Sequence, residues 1–354
     1  MDLTTLRLLS SECGLRVLSV GKPTLLVEPS RRLADWQEQG FAADMAYMRR
    51  DPALLANPLA LLPEAKSIIS FALAYSRRAL PALTPGYGRV ARYAWGRDYH
   101  KVLRKRLERL VCRVEQHLQA PVLRRLGVDA LPLLERAVAE GSGLGFVGKN
   151  SMLIRQGEGS FFFLAEILWD VVIEDVPTAG GGAGGCGSCS RCRTACPTGA
   201  LVEEYRLDAR RCISYLSIEK RGSLEEWERE ALGEWIFGCD LCQEVCPFNH
   251  RALKEERPAE VPEFEAENGC GGLLFLPGVL GLRSAEAFLE RFAGTPLMRA
   301  GREGLLRNAA VTAANTKSLV CIDVLDEAAG SDASAVVREH ADWALRKLRL
   351  SENL

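Results

Sequence analysis

Eight of the chain's twelve cysteines lie between Cys186 and Cys246, at intervals that could bind metal. The run Cys186-x2-Cys189-x2-Cys192-x3-Cys196-Pro197 has the C-x2-C-x2-C-x3-C-P spacing of bacterial two-cluster iron–sulfur segments. Cys212 follows alone, and Cys239-x2-Cys242-x3-Cys246-Pro247 repeats the run without its first member. Thiolates two or three residues apart on a tight loop can hold three corners of a 4Fe–4S cubane, while the cysteine before the proline turns to the neighbouring cluster. This crossover assigns Cys186, Cys189, Cys192 and Cys246 to one cluster, and Cys196, Cys212, Cys239 and Cys242 to the other. Zinc also uses C-x2-C pairs, but seldom three cysteines at these intervals followed by Cys-Pro, twice over. Disulfides would need an oxidising compartment and a small secreted frame.

Two cubanes in series relay single electrons, so another part of the chain must hold their acceptor. No G-x-G-x-x-G follows a strand pattern, and Gly143 to Asn150 resembles a phosphate-cradling loop only superficially. Apolar content of 47% and charged content of 26% are those of an ordinary soluble protein. The remaining cysteines, Cys13, Cys112, Cys270 and Cys321, read as buried small hydrophobes, and the thiol-rich composition suits a reducing cytoplasm. The N-terminus is broken by Arg7, Glu12 and Arg16 and is not a signal peptide, and no run is long enough to span a membrane. With a net charge of −1, any nucleic-acid partner must be met by a local basic face.

The elements that must position these groups divide the chain into 1–177, 178–252 and 253–354. In the first part, residues 3–13 and 30–49 read as helices and Ser67 to Ala74 as a buried strand. Asp98 to Leu118 forms an amphipathic helix through Val102, Leu103, Leu107, Leu110 and Val114. Its basic outer face could be merely solvated or could meet phosphate. Asp129 follows a strand, and Pro132 to Glu140 is helical. Met152 to Arg155, a turn at Gly157 to Gly159, and Phe161 to Leu168 read as a β-hairpin. The stretch from Pro177 to Gly185 has linker composition. Leu201 to Gly238 looks mostly helical, and Pro296 to Asn315, Leu319 to Ala328 and Ala335 to Leu350 suggest stacked helices of HEAT type.

The cysteine pattern with CISYLSIEKRG (212–222) and FGCDLCQEVCPFN (237–249) resembles the epoxyqueuosine reductases. So do RYAWGRDYH (92–100), PLLER (132–136), GLGFVGKNSMLI (143–154), GSFFFLAEI (159–167) and TPLMRAGREGLLRNAA (295–310). The resemblance implies an α+β fold: a nitroreductase-like cobalamin-binding unit, a ferredoxin-like unit with two 4Fe–4S clusters, and a helical tRNA-binding tail. It implies reduction of an epoxide to an alkene and water on the wobble base of tRNA, with two electrons from an external donor and two protons. The expected enzyme is a cytoplasmic monomer with no membrane association. Cobalamin is bound there without a histidine on cobalt. Accordingly, Asp98-Tyr99-His100 begins a D-x-H-x-x-G motif, but Leu103 stands where its glycine belongs.

By the same resemblance Asp129 is the proton donor, a role that asks for burial in an apolar pocket. The bland reading makes Asp129 a helix cap before Pro132. Ala130-Leu131 follows where the family usually has a small hydroxyl residue, so the acid's hydrogen-bonding neighbour is expected to differ. Phe248 replaces a common tryptophan, a change of packing. Arg92, Tyr93, Lys149, Asn150, Ser151, Ser214 and Tyr215 are implied around the cofactor. Ser217, Lys220, Arg221, Arg299, Arg302, Arg307 and Lys317 are implied toward tRNA. Reductive dehalogenases share the cofactors, but typically carry a twin-arginine leader. An electron-transfer protein or a nucleic-acid-binding protein with structural clusters would hold no corrin.

Overall fold

The computed structural model describes residues 1–176 and 184–352, so most of the expected linker (177–183) lies outside the described residues. The first part is built on an antiparallel sheet in the order β1-β2-β7-β4: β1 Val17–Gly21, β2 Ser67–Ala74, β7 Phe162–Trp169 and β4 Arg124–Gly127. β2 is buried along its whole length, as its unbroken apolar run demands. One face of the sheet carries Ile69, Phe71, Ile167 and Trp169 against Leu6 of helix Leu3–Glu12 and Leu103 and Leu107 of helix Tyr99–Leu118. The long helix starts where expected, with the Asp98 carboxylate accepting the His100 N–H at 3.1 Å. Several of its outer cations are already paired, Arg104 with Glu108, Arg106 with Glu263 and Arg113 with Glu12. The other face lies under helix Glu135–Gly141.

A second, three-stranded sheet ties all three parts of the chain together. Its centre, β3 Tyr87–Val90, runs parallel to β8 Trp235–Phe237 and antiparallel to β9 Leu273–Phe275. Around it, Val90 and Trp95 share one apolar core with Leu216, Phe237, Leu306 and Leu345. The tail consists of helices Gly301–Asn315, Ile322–Ser331 and Ala335–Glu352, packed on one another and on β8. The whole is the expected α+β architecture.

Four local expectations are corrected. The expected turn forms, closed by the antiparallel bridge of Arg155 and Gly159, but the hairpin goes no further: β6 Leu153–Ile154 pairs back onto β5 Phe146–Val147, and β7 departs to sit between β2 and β4. A two-residue strand cannot satisfy an eight-residue one, and Asn249 captures the turn by accepting the Ser160 N–H at 2.7 Å. Helix Val27–Glu38 stops before the left-handed Gly40 and Ala43, and Ala46–Arg49 is only a 3-10 turn. The stretch 201–238 holds two short helices, Ile213–Ile218 and Glu226–Leu232, and then β8. Cys112 is exposed on the outer face of its helix rather than buried.

Candidate active site

The cysteines gather in two places. Cys186, Cys189, Cys192 and Cys246 line one small cavity with Lys149, Asn150 and Phe248. Cys196, Cys212, Cys239 and Cys242 surround a second centre, close enough that their charges act on one another. No three His, Cys, Asp or Glu among the described residues close on a point suited to a single ion. The donor set therefore fits a multi-atom cluster in each place better than zinc.

Burial pushes the Cys212, Cys239 and Cys242 thiols up, so thiolates form there only opposite a strong positive charge such as iron. At Cys196 burial also raises, but the Thr198 hydroxyl and the Ala200 N–H at 3.3 Å from the sulfur outweigh it, and the net shift is downward. The Lys149 N–H reaches the Cys186 sulfur at 3.4 Å.

From the second centre an aromatic series leads to Asp129. Tyr93 lies beside Gly238, meets Tyr99 edge-on at 6.3 Å, and the Tyr99 hydroxyl donates to the Asp129 carboxylate. Asp129 itself sits at φ +52, a conformation uncommon outside glycine and frequent at functional sites. Its N–H donates to Glu135 Oε1 at 2.9 Å. These two contacts are the hydrogen-bonding neighbours that replace the family's hydroxyl residue. The capping reading fails, because the helix begins only at Glu135, with Leu134 at its cap. Asp129 is not buried by the chain itself, as the expectation required.

Arg136 is exposed, and its guanidinium, held below the usual arginine range by the protein packed about it, acts on the charges of Asp129 and Glu135. It donates to the carbonyl of Ser151, itself at φ +63. Tyr47 stands within electrostatic reach of Asp129, with Arg299 over its ring at 5.6 Å and Glu219 paired to Arg299 at 2.8 Å.

Several predicted residues do other work. Arg92 is fully buried: its N–H bonds Asp240 at 2.7 Å, its guanidinium pairs with Glu244, and it lies over Trp95 and Phe161. It braces the cluster segment and lines no cleft. Arg307 is likewise buried, donating to the carbonyls of Leu216, Lys220 and Gly222, and cannot meet phosphate. Ser217 is buried too, donating to Ile213 O at 2.8 Å and accepting the Gly238 N–H at 2.9 Å. Arg302 is held by Leu282 O and Asp332, Lys220 by Glu228, and Arg221 donates to Arg299 O and Ala300 O. Lys149 bonds Gly187 O and Glu204, fastening the Cys186 loop, and Asn150 reaches Cys242 O at 3.5 Å. Tyr215 is tied to Asp44, Ser214 is half-buried, and Lys317 is exposed.

Comparison with known proteins follows this geometry. Residues 56–130 match the family model for "Epoxyqueuosine reductase QueG, DUF1730", and residues 185–249 match the "4Fe-4S double cluster binding domain". The epoxyqueuosine reductase of Pseudomonas aeruginosa is 40% identical over 326 residues, covering 91% of this chain and 88% of that one. The chain belongs to the epoxyqueuosine reductases. The Xanthomonas campestris epoxyqueuosine reductase is 38% identical, covering 94% of this chain and 91% of its own. A crystal structure of epoxyqueuosine reductase with an epoxyqueuosine-modified tRNA-Tyr stem loop superposes with a TM-score of 0.87 at 32% identity, covering 98% of this chain and 89% of that chain. The Bacillus subtilis enzyme, with its catalytic aspartate loop swung out of the active site, gives 0.86 at 32% identity, covering 98% and 90%.

Glu135, Glu166, Tyr99 and Tyr47 were not singled out as site residues by sequence. One signal was present: Glu166 is a lone charge inside the apolar run of GSFFFLAEI.

Proposed function

We propose that this epoxyqueuosine reductase performs the family's reaction, epoxide to alkene on tRNA, at Asp129. The carrying observation is the accessible Asp129, its carboxylate accepting from Tyr99 and its N–H held by Glu135, at the end of the Tyr93–Tyr99 series that begins beside Gly238. Cys186, Cys189, Cys192 and Cys246 hold one 4Fe–4S cluster, and Cys196, Cys212, Cys239 and Cys242 the other, with electrons supplied by an external donor.

Cobalamin is the acceptor. Around Asp129 the half-buried Tyr93 offers an aromatic ring, Arg136 and Ser151 polar groups, and Ser214 and Tyr215 adjoin Cys212. Bound there, the corrin would supply a strongly reducing, nucleophilic centre for the epoxide carbon. Asp129 then protonates the epoxide oxygen as its bond to carbon breaks. Tyr99 orients the carboxyl, and the cofactor with the flipped-out base completes the apolar burial that the chain leaves unfinished.

The exposed Lys317 and Arg299 are the remaining candidates for tRNA phosphate, with Tyr47 offering a ring for base stacking. No helix among the described residues is long and apolar enough to cross a membrane. The protein acts as a cytoplasmic monomer, with residues 1–177, 178–252 and 253–354 serving as catalytic, electron-relay and tRNA-facing parts.

Protein reconstituted with iron, sulfide and cobalamin is incubated with epoxyqueuosine-bearing tRNA and a strong reductant, and the nucleosides are read by mass spectrometry. Queuosine should form only with cobalamin present. Asp129→Asn, with clusters and cobalamin loaded, should lose single-turnover activity by about a hundredfold or more; an undiminished rate removes Asp129 from the chemistry.

A further inference from the structure

The reaction takes up two protons. One C–O bond of the epoxide breaks and its oxygen gains the first proton; the second C–O bond breaks and that oxygen leaves as water with the second proton. The two electrons come from the external donor through the clusters. Asp129 carries one proton, and while the tRNA base covers it the other must come from within the protein.

Behind Asp129 a polar row crosses the sheet. Glu135 accepts the Asp129 N–H, and its carboxyl is within hydrogen-bonding reach of Glu166. Glu166 of β7 is fully buried, and no fixed donor reaches either of its oxygens. Directly opposite in the register stands Ser70 of β2, fully buried, its hydroxyl also without a partner. Opposite Ser70 is Ser19 of β1, whose hydroxyl meets that of Ser142 at 2.7 Å and whose residue keeps accessible surface. Directly opposed residues of antiparallel strands share a face, so the row runs from the β1 edge to Asp129. Its flanks are apolar, Ile68 and Leu168 on one side and Ala72 and Leu164 on the other.

A fully buried carboxyl that no fixed donor reaches is costly and calls for a reason. Among the described residues its one polar neighbour in reach is the Glu135 carboxyl, which in turn holds the Asp129 N–H. We propose that Glu166 and Glu135 are the store from which the second proton reaches Asp129. After Asp129 gives its proton to the substrate oxygen, Glu135 passes one to the Asp129 carboxylate and Glu166 passes one to Glu135, and the store is refilled from solvent when the product leaves. Burial first, and then the charge of Asp129, push Glu135 and Glu166 well above the usual carboxyl range, which favours their protonated forms. Arg136 is the cation acting on Asp129 and Glu135, and Tyr99 the hydroxyl facing Asp129.

This route rests on Asp129 being the donor, and the test separates the two. Infrared spectra of the cluster-loaded protein without cobalamin should show a protonated carboxyl at pH 7 that disappears in Glu166→Gln. In single turnovers of the holoenzyme, Glu166→Gln should slow queuosine formation by about tenfold to a hundredfold, with unchanged KM for tRNA and an enlarged solvent isotope effect. Glu135→Gln should give a loss of the same kind, and carries the test if Glu166→Gln does not fold. If Asp129→Asn is inactive while Glu166→Gln and Glu135→Gln keep wild-type rates, the route is wrong and the donor stands. An active Asp129→Asn overturns both. Absence of the protonated-carboxyl band from wild type also overturns the store.

Discussion

The two faces of the first sheet divide the labour. Under helices Leu3–Glu12 and Tyr99–Leu118 the face is mainly apolar, with Phe71, Ile167 and Trp169 fully buried. Its buried Ser67 hydroxyl is satisfied, accepting from the Trp169 indole N–H and donating to Val171 O. Under helix Glu135–Gly141 the same strands present Ser19, Ser70 and Glu166 between small and aliphatic neighbours. Alternation along a strand makes this possible, since neighbouring residues serve opposite layers. The first face secures the fold so firmly that the second can carry uncompensated polar groups. A polar group without a partner is thus better read as a cost met by a neighbouring core than as a packing fault.

The largest expected effect that separates the faces is on the apolar one. Phe71→Ala should cost about 3–5 kcal/mol of stability by denaturant titration, with the shape of the stability–pH curve retained. Next comes Glu166→Gln. The folded carboxyl titrates far above its unfolded value of about 4.3, so its contribution is full below that pH and drains away as pH rises toward the folded value. Wild type should therefore lose melting temperature between pH 5 and pH 8 relative to Glu166→Gln; parallel curves would remove the protonated pair.

His340 offers a contrast, a buried polar side chain that is fully satisfied. Its Nε2 accepts the Leu224 N–H at 3.1 Å and its Nδ1 lies 2.7 Å from Val336 O. Burial pushes the imidazole down to about 4. Its contribution is present above about 6.5 and lost as pH falls toward the folded value, and His340→Ala should flatten that acid limb. The smallest effect is at Ser70→Ala, where loss of an unbonded hydroxyl should leave stability within about 0.5 kcal/mol of wild type or slightly above it.

Cysteine spacing made the metal chemistry legible because thiolates grip a cluster through local loops, and β2 and the helix at Tyr99–Leu118 were legible through their periodicity. Strands of three residues, β8 and β9, have no period to detect. Arg92, Arg307 and Ser217 were misjudged for one reason: sequence shows a charge or a hydroxyl but not which way it faces, and all three point inward to backbone or carboxylate partners. The row behind Asp129 was hidden because it exists only through register between strands far apart in the chain. Asp129, which lies in a loop, was found by resemblance alone.

The position of β3 has a consequence for how the protein is made. This strand emerges from the ribosome with neither neighbour available, since β8 and β9 are translated much later. It must wait, exposed, while the chain up to β8 and then β9 is synthesised. Shortened chains ending before β9 should therefore be prone to aggregation and proteolysis in cells.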